Sequence, residues 1–117
     1  NATLPMLQDT LDNFINIIRE KYPMVPILVL SKIRMSVETH FSSSYNAQKK
    51  SLAFQRSVVK KHQKEDSHIY FLDGHKLLGK YTTEATVDGC HPTDLGFMMI
   101  TDYLEKYLRS ILKNEQK

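Results

Sequence analysis

Pro26-Ile27-Leu28-Val29-Leu30 is the stretch on which the fold turns. After the proline every position is apolar, so the run offers no face to water. It reads as a short buried strand, apolar on both sides as strands of parallel sheets are. Upstream, Leu7, Leu11, Phe14 and Ile18 recur at intervals of four, three and four, which marks one face of an amphipathic helix. Thr3 is placed to cap that helix, Pro5 lies near its first turn and Pro23 stops it. Asp9 and Asp12 toward its start, with Arg19 and Lys21 toward its end, suit the helix dipole.

Downstream, residues 31–44 are polar and irregular, as a loop over a sheet edge would be. A second helix is expected from about Tyr45 to Lys64, with Leu52, Val58 and Val59 inward and lysines outward. His68-Ile69-Tyr70-Phe71-Leu72-Asp73 reads as a second buried strand, ended by Gly74. A turn or short helix near Leu77-Leu78-Gly79 and a loop to Val87 follow, and Thr93 caps the last helix. Ile100, Tyr103, Leu104, Tyr107, Leu108 and Ile111 form that helix's apolar stripe.

Helix, strand, helix, strand, helix is the order of βαβ winding, with helices covering a parallel sheet. Two strands cannot bury the inner faces of three long helices, and a two-stranded sheet is marginal alone. The pattern is therefore an α/β one, the C-terminal half of a larger three-layer domain.

Composition narrows the function classes. The 117 residues amount to one domain at most, with 41% hydrophobic and 25% charged residues, which is ordinary for a globular chain. No apolar run approaches the length of a membrane span. The net charge is +3, and much of the basic excess (Lys49, Lys50, Arg56, Lys60, Lys61, Lys64) falls within one helical stretch. Aromatic residues are not interleaved with it, so a solvated helix face explains it better than a nucleic-acid patch, and no nucleic-acid partner is expected. All four glycines lie at or beyond Gly74, which excludes a phosphate loop, a dinucleotide fingerprint or a G-x-S-x-G elbow in the preceding residues. The single cysteine, Cys90, excludes an internal disulfide.

Chemistry concentrates in Asp88-Gly89-Cys90-His91-Pro92-Thr93-Asp94-Leu95-Gly96-Phe97. A carboxylate and an imidazole three residues apart in such a loop can form an oriented acid–base pair. The aspartate fixes the ring's tautomer and leaves its other nitrogen to take a proton. The competing reading is a turn leading into a helix, in which Asp88 and His91 only shape the backbone. Cys90 is a poor nucleophile candidate, because adjacent loop residues usually point apart. His40, His62, His68 and His75 are scattered, without metal-ligand spacing, and read as surface or packing residues. Ser42, Ser43 and Ser44 read as solvated loop.

D-G-x-H-P-x-x-x-G resembles the C-terminal catalytic block of the SGNH (GDSL-type) hydrolases. The likeness extends along the chain through Asn1, Phe14, Ile18-Arg19, Pro23, the strand at Pro26–Leu30, Ile69-Tyr70-Phe71-Leu72 and Leu77-Leu78-Gly79. It implies a partial three-layer α/β/α, flavodoxin-like fold with a short parallel sheet, residues 1–117 being the C-terminal part of one such domain. It also implies His91 as general base, Asp88 as its orienting carboxylate and Asn1 as an oxyanion-hole residue. The blocks carrying the family's serine nucleophile and oxyanion-hole glycine have no counterpart here. The resemblance implies hydrolysis of acyl or acetyl esters without metal or organic cofactor. The expected partners are a small ester or acylated carbohydrate, and a missing N-terminal half or second chain that completes the sheet. A non-catalytic α/β interaction module is the alternative.

Overall fold

The computed structural model describes residues 2–115. The elements run α1 (Leu4–Lys21), β1 (Ile27–Leu30), α2 (Val37–His40), α3 (Ser42–His62), β2 (Ile69–Leu72), a 3-10 turn (Gly74–Lys76) and α4 (Asp94–Glu115). The strands pair in parallel, with Ile27 opposite Ile69 and Leu30 opposite Leu72, as the βαβ order requires. The fold is α/β, with a short two-stranded parallel sheet.

By contacts the chain forms two compact units. One comprises the chain up to Ser31 with Ala47–Leu72, and the other Lys32–Asn46 with Asp73 onward. In the first, the parallel register puts Ile27, Val29, Ile69 and Phe71 on one sheet face, because side chains alternate along a strand. Against that face pack Leu11 and Ile15 of α1 and Phe54, Val58 and Val59 of α3. Ile15, Val59 and Ile69 are fully buried, each contributing about 1.5–3 kcal/mol by removal from water.

Arg19 fixes the exit from α1. Its Nη1 donates to the carbonyls of Tyr22 (2.8 Å), Pro23 (2.9 Å) and Val25 (2.9 Å), and its Nε to Asp66 Oδ2 (3.0 Å). The guanidinium thus ties the turn entering β1 to the turn entering β2.

Three local expectations need correction. Phe14 is 60% exposed, and the inward residue of α1 is Ile15 at 1%. Both choices satisfy helical spacing, and the partner surface on α3 and β2 decides between them. Thr3 stands at the N-cap of α1, but its side chain makes no capping bond. Residues 31–44 contain α2 and the start of α3, so Ser42, Ser43 and Ser44 are helical. Glu38 orders this segment by accepting the Met35 N–H at 2.9 Å, a local side-chain-to-backbone bond that polarity alone does not reveal. Asn1 lies outside the described residues.

In the second unit Met35, Leu77, Leu78, Ala85 and Ile111 are buried. The short element near Leu77 is the turn over Gly74–Lys76, nucleated by Asp73, whose Oδ1 accepts the His75 N–H. Along α4 the expected stripe is buried only at Ile111, Leu108 being 42% exposed. No helix among the described residues is long and apolar enough to cross a membrane.

Candidate active site

Thr93 begins α4 as expected. Its Oγ1 accepts the Gly96 N–H at 3.2 Å, and its own N–H donates to the Ala85 carbonyl at 2.9 Å. Gly96 is required here, because a Cβ would overlap the Ala85 carbonyl oxygen. The loop before the helix is closed by an antiparallel bridge between Thr86 and Pro92, and by the Val87 N–H donating to the His91 carbonyl at 2.8 Å. Gly89 turns the tip with φ +81°, in the left-handed region where glycine carries no Cβ penalty.

Within this loop Asp88 uses its two carboxylate oxygens differently. Oδ1 accepts the backbone N–H of Cys90 (2.9 Å) and of His91 (2.8 Å), which is turn-forming work. Oδ2 lies 2.7 Å from His91 Nδ1. The turn needs only Oδ1, so the ring contact is an addition that the turn reading does not require. Three donors therefore hold the Asp88 carboxyl far below the ordinary 3.8: the His91 backbone N–H first, the His91 ring second and the Cys90 N–H third.

An ionised carboxylate is an acceptor only, so the Nδ1 facing Asp88 carries the proton. Nε2 is left with its lone pair and without a partner among the described residues, and the His91 side chain is 76% exposed. The arrangement can accept a proton at Nε2 while Asp88 stabilises the resulting cation. Among the described residues no hydroxyl hydrogen-bonds Nε2, and Ser42 and Ser43 are exposed on α3.

The other sequence candidates separate. Cys90 is a half-buried free thiol whose N–H helps orient Asp88. Among the described residues no three potential metal ligands gather. His75 Nε2 lies 3.4 Å from Glu38 Oε2, and His62 Nε2 lies 2.8 Å from Asp12 Oδ1. That second Asp–His contact joins α1 to α3 across 50 residues, and nothing in local spacing signals it.

Residues 1–109 match the family model of the GDSL-like lipase/acylhydrolase family. Among solved structures, the chain is similar to a protein of Bacteroides ovatus ATCC 8483 assigned as a GDSL-like lipase. The TM-score is 0.87 at 26% identity, over 97% of this chain and 34% of that one. It is also similar to the salicylyl-acyltransferase SsfX3 from a tetracycline biosynthetic pathway. Here the TM-score is 0.77 at 17% identity, over 92% of this chain and 33% of that one, a likeness that shows the fold alone. The chain spans about a third of the length of these structures. No curated protein matches it.

Proposed function

Because the chain belongs to the GDSL-like lipase/acylhydrolase family, we propose that Asp88 and His91 are the acid–base half of a serine-dependent ester hydrolase. The chain supplies the C-terminal part of a single SGNH-type domain. The remainder of that domain, or a second chain, brings the serine and the strands that extend the two-stranded sheet.

His91 Nε2 removes the proton from the serine hydroxyl as its oxygen attacks the ester carbonyl. The ring becomes an imidazolium whose Nδ1–H stays on Asp88. It then passes the Nε2 proton to the departing alkoxide, leaving an acyl-enzyme and a free alcohol. A water, deprotonated by the same nitrogen, hydrolyses the acyl-enzyme and returns the serine to its starting state. Asn1 is assigned to the oxyanion hole, where a side-chain amide donor would stabilise the tetrahedral anion. The substrates are acyl or acetyl esters of small alcohols or carbohydrates. The reaction requires no metal or organic cofactor.

The observation that carries this reading is the 2.7 Å contact between His91 Nδ1 and Asp88 Oδ2, which a turn alone does not need. The test compares hydrolysis of short activated esters by this chain alone and by a longer protein that includes a G-D-S block upstream. The chain alone should show no turnover beyond that of its His91→Ala variant. The longer protein should lose about 10³-fold or more on His91→Ala and remain within about twofold on His62→Ala. Robust, serine-inhibitor-sensitive turnover by the 117 residues would refute the missing-nucleophile assignment. No gain from the upstream block would favour a non-catalytic interaction module.

A further inference from the structure

The Glu38 side chain is 0% exposed. A carboxylate withdrawn so fully from water is costly unless its oxygens are satisfied. Oε1 accepts the Met35 N–H at 2.9 Å, whereas Oε2 makes no hydrogen bond among the described residues and has His75 Nε2 at 3.4 Å as an ion-pair partner if that ring is protonated. His75 is itself anchored, its N–H donating to Asp73 Oδ1 at 3.1 Å. Glu38 thus clamps the turn Met35–Glu38 against the segment that follows β2.

That turn touches the candidate site. Ser36, at the N-cap of α2, donates its N–H to the Gly89 carbonyl at 2.9 Å. The approach is close enough that a Cβ on Gly89 would overlap Ser36 Oγ. Gly89 sits between Asp88 and His91. The bonds inside the loop, Thr86 to Pro92 and Val87 to His91, fix its base, whereas the Ser36 bond fixes its tip from 53 residues away.

We infer that Glu38 is a positioning residue for the Asp88–His91 pair, acting through the Met35–Glu38 turn and the Ser36–Gly89 hydrogen bond. This rests on the reading of Asp88 and His91 as an acid–base pair. It adds to that reading a buried carboxylate that touches neither residue.

The experiment records the ring nitrogen–proton correlations of His91 in the 117-residue chain at about pH 9, where an imidazole is neutral. Amide exchange at Ser36 is followed in parallel. The unsubstituted chain should show His91 mainly as the Nδ1–H form. Glu38→Ala should move most of it to the Nε2–H form that an unconstrained imidazole prefers, and speed Ser36 exchange about tenfold or more. Val59→Ala, which weakens the core of the other unit, should lower stability without changing the His91 form. A folded Glu38→Ala with an unchanged His91 form and unchanged Ser36 exchange would overturn the inference. So would an equal shift of the His91 form in Val59→Ala. Should Glu38→Ala fail to fold, Ser36→Pro decides. The Ser36 φ of −62° suits proline, and the substitution removes the N–H that holds Gly89 together with the Ser36 hydroxyl beside it. An unchanged His91 form in Ser36→Pro would overturn the inference, and a shift to Nε2–H would support it. A His91 that is Nε2–H in the unsubstituted chain overturns the inference and the acid–base reading together. Ester turnover of the longer protein that is unchanged by His91→Ala, with an intact Glu38 effect on the ring, would overturn only the latter.

Discussion

Two aspartate–histidine contacts of nearly equal length are built in opposite ways: Asp88 with His91 at 2.7 Å, and Asp12 with His62 at 2.8 Å. The first joins residues three apart in a glycine-bent loop, and both side chains are more than half exposed. The second joins α1 to α3, and the His62 side chain is only 14% exposed. Asp88 engages Nδ1 and leaves Nε2 open. Asp12 engages Nε2 itself, and Lys61 shares the carboxylate at 3.0 and 3.2 Å. A proton acceptor needs a ring nitrogen that is both free and reachable; of these two pairs, His91 presents its Nε2 on a side chain 76% exposed, whereas the His62 side chain is largely buried. Residue type and distance do not separate a candidate dyad from a helix-to-helix tie; the nitrogen used, the competing cation and the exposure do.

The largest test of this contrast is Ile15→Ala. Ile15 sits in the core between α1, α3 and the sheet, and its truncation should cost about 2–5 kcal/mol in denaturant unfolding. The Asp12–His62 contact should loosen with it, while the His91 ring spectrum stays as it was. A matching change at His91 would show that the two pairs are not independent.

Gly89→Ala attacks the local pair instead. Placing alanine at φ +81° with its Cβ against Ser36 should cost about 1–2 kcal/mol and disturb the His91 ring signals. The His62 signals should not move. An unchanged melting temperature would mean that the loop relaxes freely, and that its tip is not fixed as described.

The smallest effect belongs to Asp12→Asn, at no more than about 1 kcal/mol near neutral pH, because the pair is partly solvated. Its pH dependence is the informative part. The hydrogen bond from Lys61, and then that from His62, lower the Asp12 carboxyl below its ordinary 3.8. Just below that value the unfolded chain binds more protons than the folded one. The stabilisation is therefore complete above the ordinary value and is lost as the pH falls through the lowered one. Unfolding curves of the parent chain and Asp12→Asn should converge on acidification; a gap that widens toward acid would contradict the assignment.

What was legible in the sequence lies within one or two turns of chain. The loop bearing Asp88 and His91 could be found because its geometry is written in adjacent residues: Gly89 for the bend, Pro92 and Thr93 for the helix start. The oxygen-by-oxygen division of labour on Asp88 was not legible, since spacing says that two side chains can meet but not which atoms do. In α1 the spacing put Phe14 on the apolar face, but Ile15, about 100° away on the helix, fits the same period and is the residue that is buried.

The sequence by itself determined the α/β order, the boundaries set by Pro23, Gly74 and Thr93, and the acid–base candidate. These follow from backbone preferences and short-range spacing that hold whatever surrounds them. Tertiary structure alone decided that Ile15 faces the core while Phe14 does not, and that His62 meets Asp12. It also decided that Arg19 meets Asp66 and that Ser36 reaches Gly89. Each of these depends on residues far apart in the chain, and no local propensity encodes which distant atoms will meet.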